Sequence, residues 1–398
     1  MSEWKTYRLG DIIQLKSGGT PDKSNSDYWG GSIPWISAKS MYDDFISTSD
    51  LFITEEGLHA GSKIAKKDSI LLLTRGSGLF NRIPVCYVVS DVAYNQDVKN
   101  IVLKKESITS IKFLYYWLYG NKELLSSMLE TTGIGAGKID TKRFLNLSIS
   151  LPSQREQARY IYLMDLLFDK IELNRRINAN LEAQAQALFK SWFVDFEPFH
   201  DGPFVDSELG KIPQGWKVGG IYTYMDVIYG APYKSALFNT DKKGYPLIRI
   251  RDLKTYSPQF YTEEILPNTE YVDFGDIVAG MDAEFVPYIW KGEKGLLNQR
   301  VCKFIPKYDY VSKYYILSLI RPELEFVQSY KVGTTVSHLG KSDIDKFKVI
   351  TPPAEIVKRF SCIVDSFHQQ IIKLAKENFK LSALRDTLLP RLMAGEKM

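Results

Sequence analysis

The chain has 398 residues, 44% hydrophobic and 25% charged, the proportions of a folded protein of two or three domains and not of a disordered one. Lys and Arg number 51 against 47 Asp and Glu, a net charge of +4, so a nucleic-acid partner would have to be met by locally focused charge. The three cysteines (Cys86, Cys302, Cys362) form no CxxC pair and offer neither a zinc site nor a disulfide framework.

In chain order, the first 152 residues mix short β-rich runs, such as Ser69–Leu73 and Val85–Val89, with Gly, Asn and Asp turns. One helix is predicted from about Ile111 to Leu129. Residues 153–197 are free of Pro and Gly after a Pro-Ser start, and they predict one long helix. Residues 198–215 have loop composition and read as a linker. Residues 216–352 repeat the mixed pattern with a helix near Ser312–Val327, and residues 353–398 predict a second long helix. His59, His200, His338 and His368 are scattered, without HxxxH spacing, and read as surface or packed side chains rather than metal ligands. No run of 18 apolar residues occurs and Met1–Lys5 opens no apolar signal region, so the expected address is the cytoplasm.

The chain resembles itself. Trp4-Lys5 matches Trp216-Lys217, and Ile33–Ser37 matches Tyr245–Arg249, at an offset of 212. Asn95-Gln96-Asp97-Val98 matches Asn298-Gln299-Arg300-Val301 at 203, where Thr131-Thr132 also meets Thr334-Thr335, Gly137-Lys138 meets Gly340-Lys341 and Phe144 meets Phe347. Pro152, Arg159 and Asp165 match Pro352, Arg359 and Asp365 at 200. Falling offsets are what short loop deletions in the second copy would produce.

Each long helix carries a heptad seam. In the first it runs Met164, Leu167, Ile171, Asn174, Asn178, Leu181, Ala185, Leu188, Trp192. In the second it runs Val364, Phe367, Ile371, Leu374, Asn378, Leu381, Arg385, Leu388, Leu392. The first helix leaves one globular domain for the other, and the second has only the way back. The helices are therefore expected to pair antiparallel, with Asn178 near Asn378 at a pseudo-two-fold axis. The expected fold class is α+β: two globular domains in tandem repeat, separated by a long antiparallel two-helix coiled coil.

This pattern resembles the DNA-specificity subunit of Type I restriction-modification systems. The resemblance rests on Trp4-Lys5 with Leu9-Gly10-Asp11, on Lys16–Pro21, on Leu151–Gln157, on Ser191–Phe196 and on Asp206–Pro213, and it covers the whole chain. The second half departs from it, with Tyr229-Gly230-Ala231-Pro232-Tyr233 in place of the Gly-rich run. The resemblance implies two target-recognition domains reading the halves of a bipartite, asymmetric double-stranded DNA target. It also implies spacer helices that dock two methyltransferase subunits, restriction-translocase subunits joining them, and no catalysis by this chain. S-adenosylmethionine, ATP and magnesium would then be held by those partners and no cofactor by this chain.

DNA readers are Arg and Lys toward guanine and Asn and Gln toward adenine, with Ser, Thr, Tyr and His able to join them in loops. The candidates in the first half are Lys16, Ser17, Thr20, Lys39, Arg75, Ser77, Asn95, Gln96 and Lys138. In the second half they are Tyr233, Lys234, Arg249, Arg251, Asn298, Gln299, Thr334, Thr335, His338 and Lys341. The same polar residues could equally be solvated, and the two Asn-Gln pairs could be a shared turn.

Catalytic motifs are not completed. Thr351-Pro352-Pro353-Ala354 lacks the acceptor and the aromatic of a base-flipping methyltransferase loop. Pro21-Asp22-Lys23 lacks the second acid and spaced lysine of a nuclease, and Gly133–Ile139 puts Ile139 where a phosphate loop needs a hydroxyl. The alternative from another class is a non-DNA scaffold with two interaction domains on a coiled-coil strut.

Overall fold

The computed structural model describes residues 4–80, 82–104, 108–133, 135–331 and 338–396. They form two compact units, Met1–Asp169 with Ser382–Met398, and Lys170–Leu381. Each unit therefore includes a stretch of both long helices.

In the first unit, Ser69–Leu73 and Val85–Val88 are buried along their whole length, as strands covered on both faces should be. They lie in a five-stranded sheet in the order 13–17, 98–103, 69–73, 85–88, 45–46. A four-stranded sheet is built around Trp29–Ile36 and Val92–Tyr94, which run parallel. Lys5–Arg8 pairs with Ser148–Leu151, closing the unit's ends together. The helix Ile111–Gly120 buries Phe113 through Leu118 in the core.

The second unit repeats this framework. Val301 faces Gly280 where Val98 faces Leu73, Leu247 lies beside Leu296 where Trp35 lies beside Ala93, and Lys217 faces Thr351 where Lys5 faces Leu151. The pairings reproduce the sequence offsets of 212 and 203, and of 200 at the last strand. They correct one stretch. Leu9 N donates to Leu147 O and Ile221 N to Phe347 O, so the offset is already 200 at that point, and Phe144 corresponds to Ile344 rather than Phe347.

The long helices run Gln154–Phe193 and Ala354–Met393, 40 residues each, or roughly 60 Å at about 1.5 Å per residue. Ser153 starts the first: its Oγ accepts from Glu156 N at 3.4 Å while the Glu156 carboxylate accepts from Ser153 N at 3.3 Å, a capping box. The helix stops at Phe193 rather than Glu197, and Phe196 follows with a left-handed φ of 56°.

Pairing is antiparallel within each unit. In the second unit Asn378 reaches Ile171 O, Asn178 reaches Ile371 O, and Phe193 packs on Phe360. In the first unit Met164 and Phe168 share a core with Leu389 and Leu392. The seam positions Met164, Ile171, Asn178, Val364 and Ile371 are buried, while Leu167, Leu181, Leu188, Phe367, Leu381 and Leu388 are half-buried. The buried face is wider than a narrow seam, because Phe168, Phe189 and Phe193 sink into the domain cores.

Two expectations change. Asn378 takes its side-chain bond from Asn174, not Asn178, because the register places Asn178 opposite Ile371. Residues 198–215 are not a plain linker: Phe204–Ser207 and Gly210–Pro213 form a hairpin, and Phe196, Phe199 and Phe204 gather with Trp216 in an aromatic cluster. Apolar burial is what orders this segment despite its loop composition. Among the described residues no helix is long and apolar enough to cross a membrane.

Candidate nucleic-acid interface

In each unit a polar surface forms where an Asn-Gln turn meets a close-packed glycine. In the first unit the turn is Asn95-Gln96-Asp97. Asn95 is buried, and its Oδ1 accepts from the backbone N–H groups of Asp97 and Val98, both at 3.1 Å. It holds the turn, and Gln96 is pushed outward to accept from Thr20 Oγ1 at 2.6 Å. A Cβ on Gly18 would lie 2.1 Å from Tyr94 O, so only glycine lets the Lys16–Pro21 run pass this turn.

The residues gathered here include one that sequence reasoning missed. Lys99 donates to Ser17 Oγ at 2.8 Å and to Gln96 O at 3.1 Å. Burial lowers its pKa, opposed by the Asp97 carboxylate and reinforced by Arg75, so all three charges share one neighbourhood. The missed signal was strand alternation, which puts Lys99 on the strand face shared with its partner Ser17. Arg75 and Lys138 are exposed and directly opposed on antiparallel strands. Lys16 and Ser77 are exposed, and Lys39 is exposed on a separate turn capped by Ser37.

In the second unit Gly230 plays the part of Gly18, its Cβ position lying 2.1 Å from Asn298 O. Asn298 is buried and bridges to Ala231, while Gln299 is exposed. The replaced Gly-rich run thus keeps the glycine that packs against the Asn-Gln turn. Tyr233 is buried, its hydroxyl hydrogen-bonded to Thr269 Oγ1 at 3.1 Å. Arg249 is held inward: Nε lies 3.4 Å from Asp252 Oδ2, Nη2 donates to Gln259 Oε1 at 3.4 Å, and the guanidinium lies 4.3 Å from the Phe260 ring centroid. Lys234, Arg251 and Lys341 are exposed, and Thr334 and Thr335 lie outside the described residues.

His338 is exposed, its Nδ1 2.6 Å from Asp282 Oδ1, and Arg300 Nε lies 3.4 Å from Asp282 Oδ2. Neither Asp282 nor Arg300 was singled out by residue type, since only the fold brings residues 282, 300 and 338 together. Lys138 corresponds to His338, not to Lys341 as the sequence offset suggested. Ile139 N donates to Thr74 O at 2.9 Å and Leu339 N to Met281 O at 2.7 Å, which fixes the equivalence. Lys341 instead starts a short helix beside a cavity lined by Tyr222, Tyr229 and Asp345.

The family model for the Type I restriction modification DNA specificity domain matches residues 1–183 and 216–380. The chain belongs to that family. Type I specificity subunits recognise DNA sequence, and both matched regions of this one contain a turn-and-glycine surface of the kind described above. Full-length relatives include the MjaIX specificity subunit of Methanocaldococcus jannaschii, 29% identical over 99% of this chain and 93% of its own. The HindI specificity subunit of Haemophilus influenzae is 25% identical over the whole of both chains. The EcoR124I/EcoR124II specificity subunit of Escherichia coli is 34% identical over 41% of this chain and 40% of its own. Among solved structures, the S subunit from M. genitalium covers 98% of this specificity subunit and 96% of its own chain at 14% identity, with a TM-score of 0.49.

Proposed function

We propose that this specificity subunit reads a bipartite, asymmetric DNA target, one half with each globular domain, as the non-catalytic core of a restriction-methyltransferase complex. The carrying observation is one strand framework built twice with different polar residues at its edge: Ser17, Arg75 and Lys138 in the first unit occupy the positions of Tyr229, Asp282 and His338 in the second. A shared scaffold with unlike edges is what two different half-targets need.

The long helices would set the unread spacer and dock two methyltransferase subunits, with restriction-translocase subunits joining them in the cytoplasm. S-adenosylmethionine, ATP and magnesium would be bound by those partners. Of the DNA candidates, Lys16, Ser17, Thr20, Arg75, Gln96, Lys138, Gln299 and His338 fit direct contact. Asn95, Asn298, Tyr233 and Arg249 fit the role of supports beneath the surface.

The test is duplex selection from a randomised pool by the full chain with its methyltransferase partners, followed by affinity against salt. Two blocks of preferred bases separated by an indifferent spacer, with affinity falling steeply as salt rises, is the expected result. Failure to retain any duplex at low salt would favour the scaffold reading.

A further inference from the structure

The two units present the same three backbone positions with exchanged charge. In the first, Arg75 faces Lys138 across antiparallel strands, and Asp97 sits on the adjoining turn, its carbonyl accepting from Thr74 N at 2.8 Å. In the second, Asp282 and His338 form the equivalent antiparallel bridge, and Arg300 sits on the turn, its carbonyl accepting from Met281 N at 2.9 Å. Backbone bonding thus pairs Arg75 with Asp282, Asp97 with Arg300 and Lys138 with His338. Acid and base have changed places at the first two positions, and a histidine replaces a lysine at the third.

The residues beneath these positions have not diverged in the same way. Gly18 and Gly230 are both glycine, packed 2.1 Å from a carbonyl at their Cβ positions, and Asn95 and Asn298 are both buried asparagine. Stability does not account for the outward set. The Arg300 side chain is 52% exposed in its pair with Asp282, and ion pairs so exposed contribute about 0–1 kcal/mol. What the pair does supply is orientation: a carboxylate on Nε steers the rest of the guanidinium fork.

We propose that these three positions are the base-selecting set of each domain, and that the exchange of sign gives the two domains different base preferences. This rests on the DNA-reading role proposed above. In the first domain, neighbouring donors from Arg75 and Lys138 suit an acceptor edge such as guanine O6 and N7. In the second, the main donor comes from the turn, through Arg300, with Asp282 holding it and His338 beside it. The cation is thereby moved from the strand to the turn, so it meets a different base-pair step within its half-target.

The experiment is selection from randomised duplexes by the full chain with its partner subunits, comparing wild type with R75A, R300A and R300K. R300A is expected to flatten one base pair in one half of the target, lowering discrimination there roughly 5- to 150-fold, the worth of one bidentate contact. The other half should keep its wild-type profile. R75A should do the same in the opposite half, and R300K should keep part of the preference. Thermal melts accompany each variant; if R300A melts early, the isocharged R300K is read in its place, and a profile identical to wild type then counts against the proposal. Unchanged profiles for R75A and R300A, or uniform weakening at every position, would overturn it while leaving the DNA-reading role standing. A wild-type complex without base preference would overturn both.

Discussion

Asn178 and Asn378 make the same bond, each to the opposite helix: Asn178 Nδ2 donates to Ile371 O at 3.3 Å, and Asn378 Nδ2 donates to Ile171 O at 3.1 Å. The two bonds are related by the 200-residue offset of the repeat, which makes the middle of the helix pair locally two-fold. The symmetry is broken at Asn174, which donates to Asn378 Oδ1 at 2.9 Å, whereas the matching position of the second helix is Leu374. Asparagines in a helix–helix seam cost stability and specify register.

The two sites should respond differently to leucine. Asn178 Oδ1 is buried without a hydrogen-bond partner, so Asn178→Leu removes an unsatisfied acceptor and should stabilise the protein by about 1 kcal/mol. Asn378→Leu breaks two inter-helix bonds and should cost about 1–2 kcal/mol. Urea unfolding midpoints measure both, and equal shifts in one direction would show that the asparagines act alike.

Arg385 holds the end of the second long helix to the first unit. Its guanidinium lies 3.5 Å from Asp44 and 2.8 Å from Asp386, and 5.0 and 5.1 Å from the ring centroids of Tyr119 and Phe168. The side chain is 9% exposed, so Arg385→Ala removes the buried stack and one of the cations facing Asp44, leaving Lys122, and should cost about 1–3 kcal/mol. Arg385→Lys keeps the charge but not the planar stack and should fall between. Thermal melts that rank the lysine variant with wild type would exclude the stacking contribution.

His368 is expected to make the protein acid-sensitive. It is buried where Ile372 and the second long helix meet Gly275, and neither ring nitrogen has a partner in bonding geometry. Burial, then the Lys313 ammonium, pushes its pKa down to about 4, against the Gly275 backbone and the Asp276 carboxylate. The unfolded chain takes up this proton near pH 6.5 and the folded one only near 4. Stability from the neutral ring is complete above pH 6.5 and is lost as pH falls through that window, by about 3 kcal/mol. His368→Leu should flatten stability between pH 6.5 and 4, and an unaltered acid slope would rule His368 out as its source.

Glycines 18 and 230 should be intolerant where Gly133 is not. A Cβ at either of the first two meets a backbone carbonyl at 2.1 Å, whereas nothing lies within 4 Å of one at Gly133. Gly18→Ala should disturb base preference in one half of the target and Gly230→Ala in the other, while Gly133→Ala should leave duplex selection as in wild type. An effect of Gly133→Ala equal to the others would mean that packing is not the reason.

Periodicity and turn chemistry, which are local, carried much of the architecture into the sequence. The heptads around Ile171 and Ile371, the Pro-Ser start before Gln154 and the staggered offsets between halves all appear in the structure. Which polar residues face outward was not local information. Asn95 and Arg249 are of reader type, and only the fold shows that Asn95 Oδ1 accepts from two backbone N–H groups and that Arg249 Nε lies 3.4 Å from Asp252.

The sequence by itself determined that the chain is a tandem repeat with two long helices, because 3.6- and 2-residue periods and matched positions in one order need no knowledge of contacts. Only the tertiary structure decided that Arg75, Asp97 and Lys138 stand where Asp282, Arg300 and His338 stand. Those positions lie on three separate segments in each half, and long-range strand pairing alone sets residues so far apart in sequence side by side.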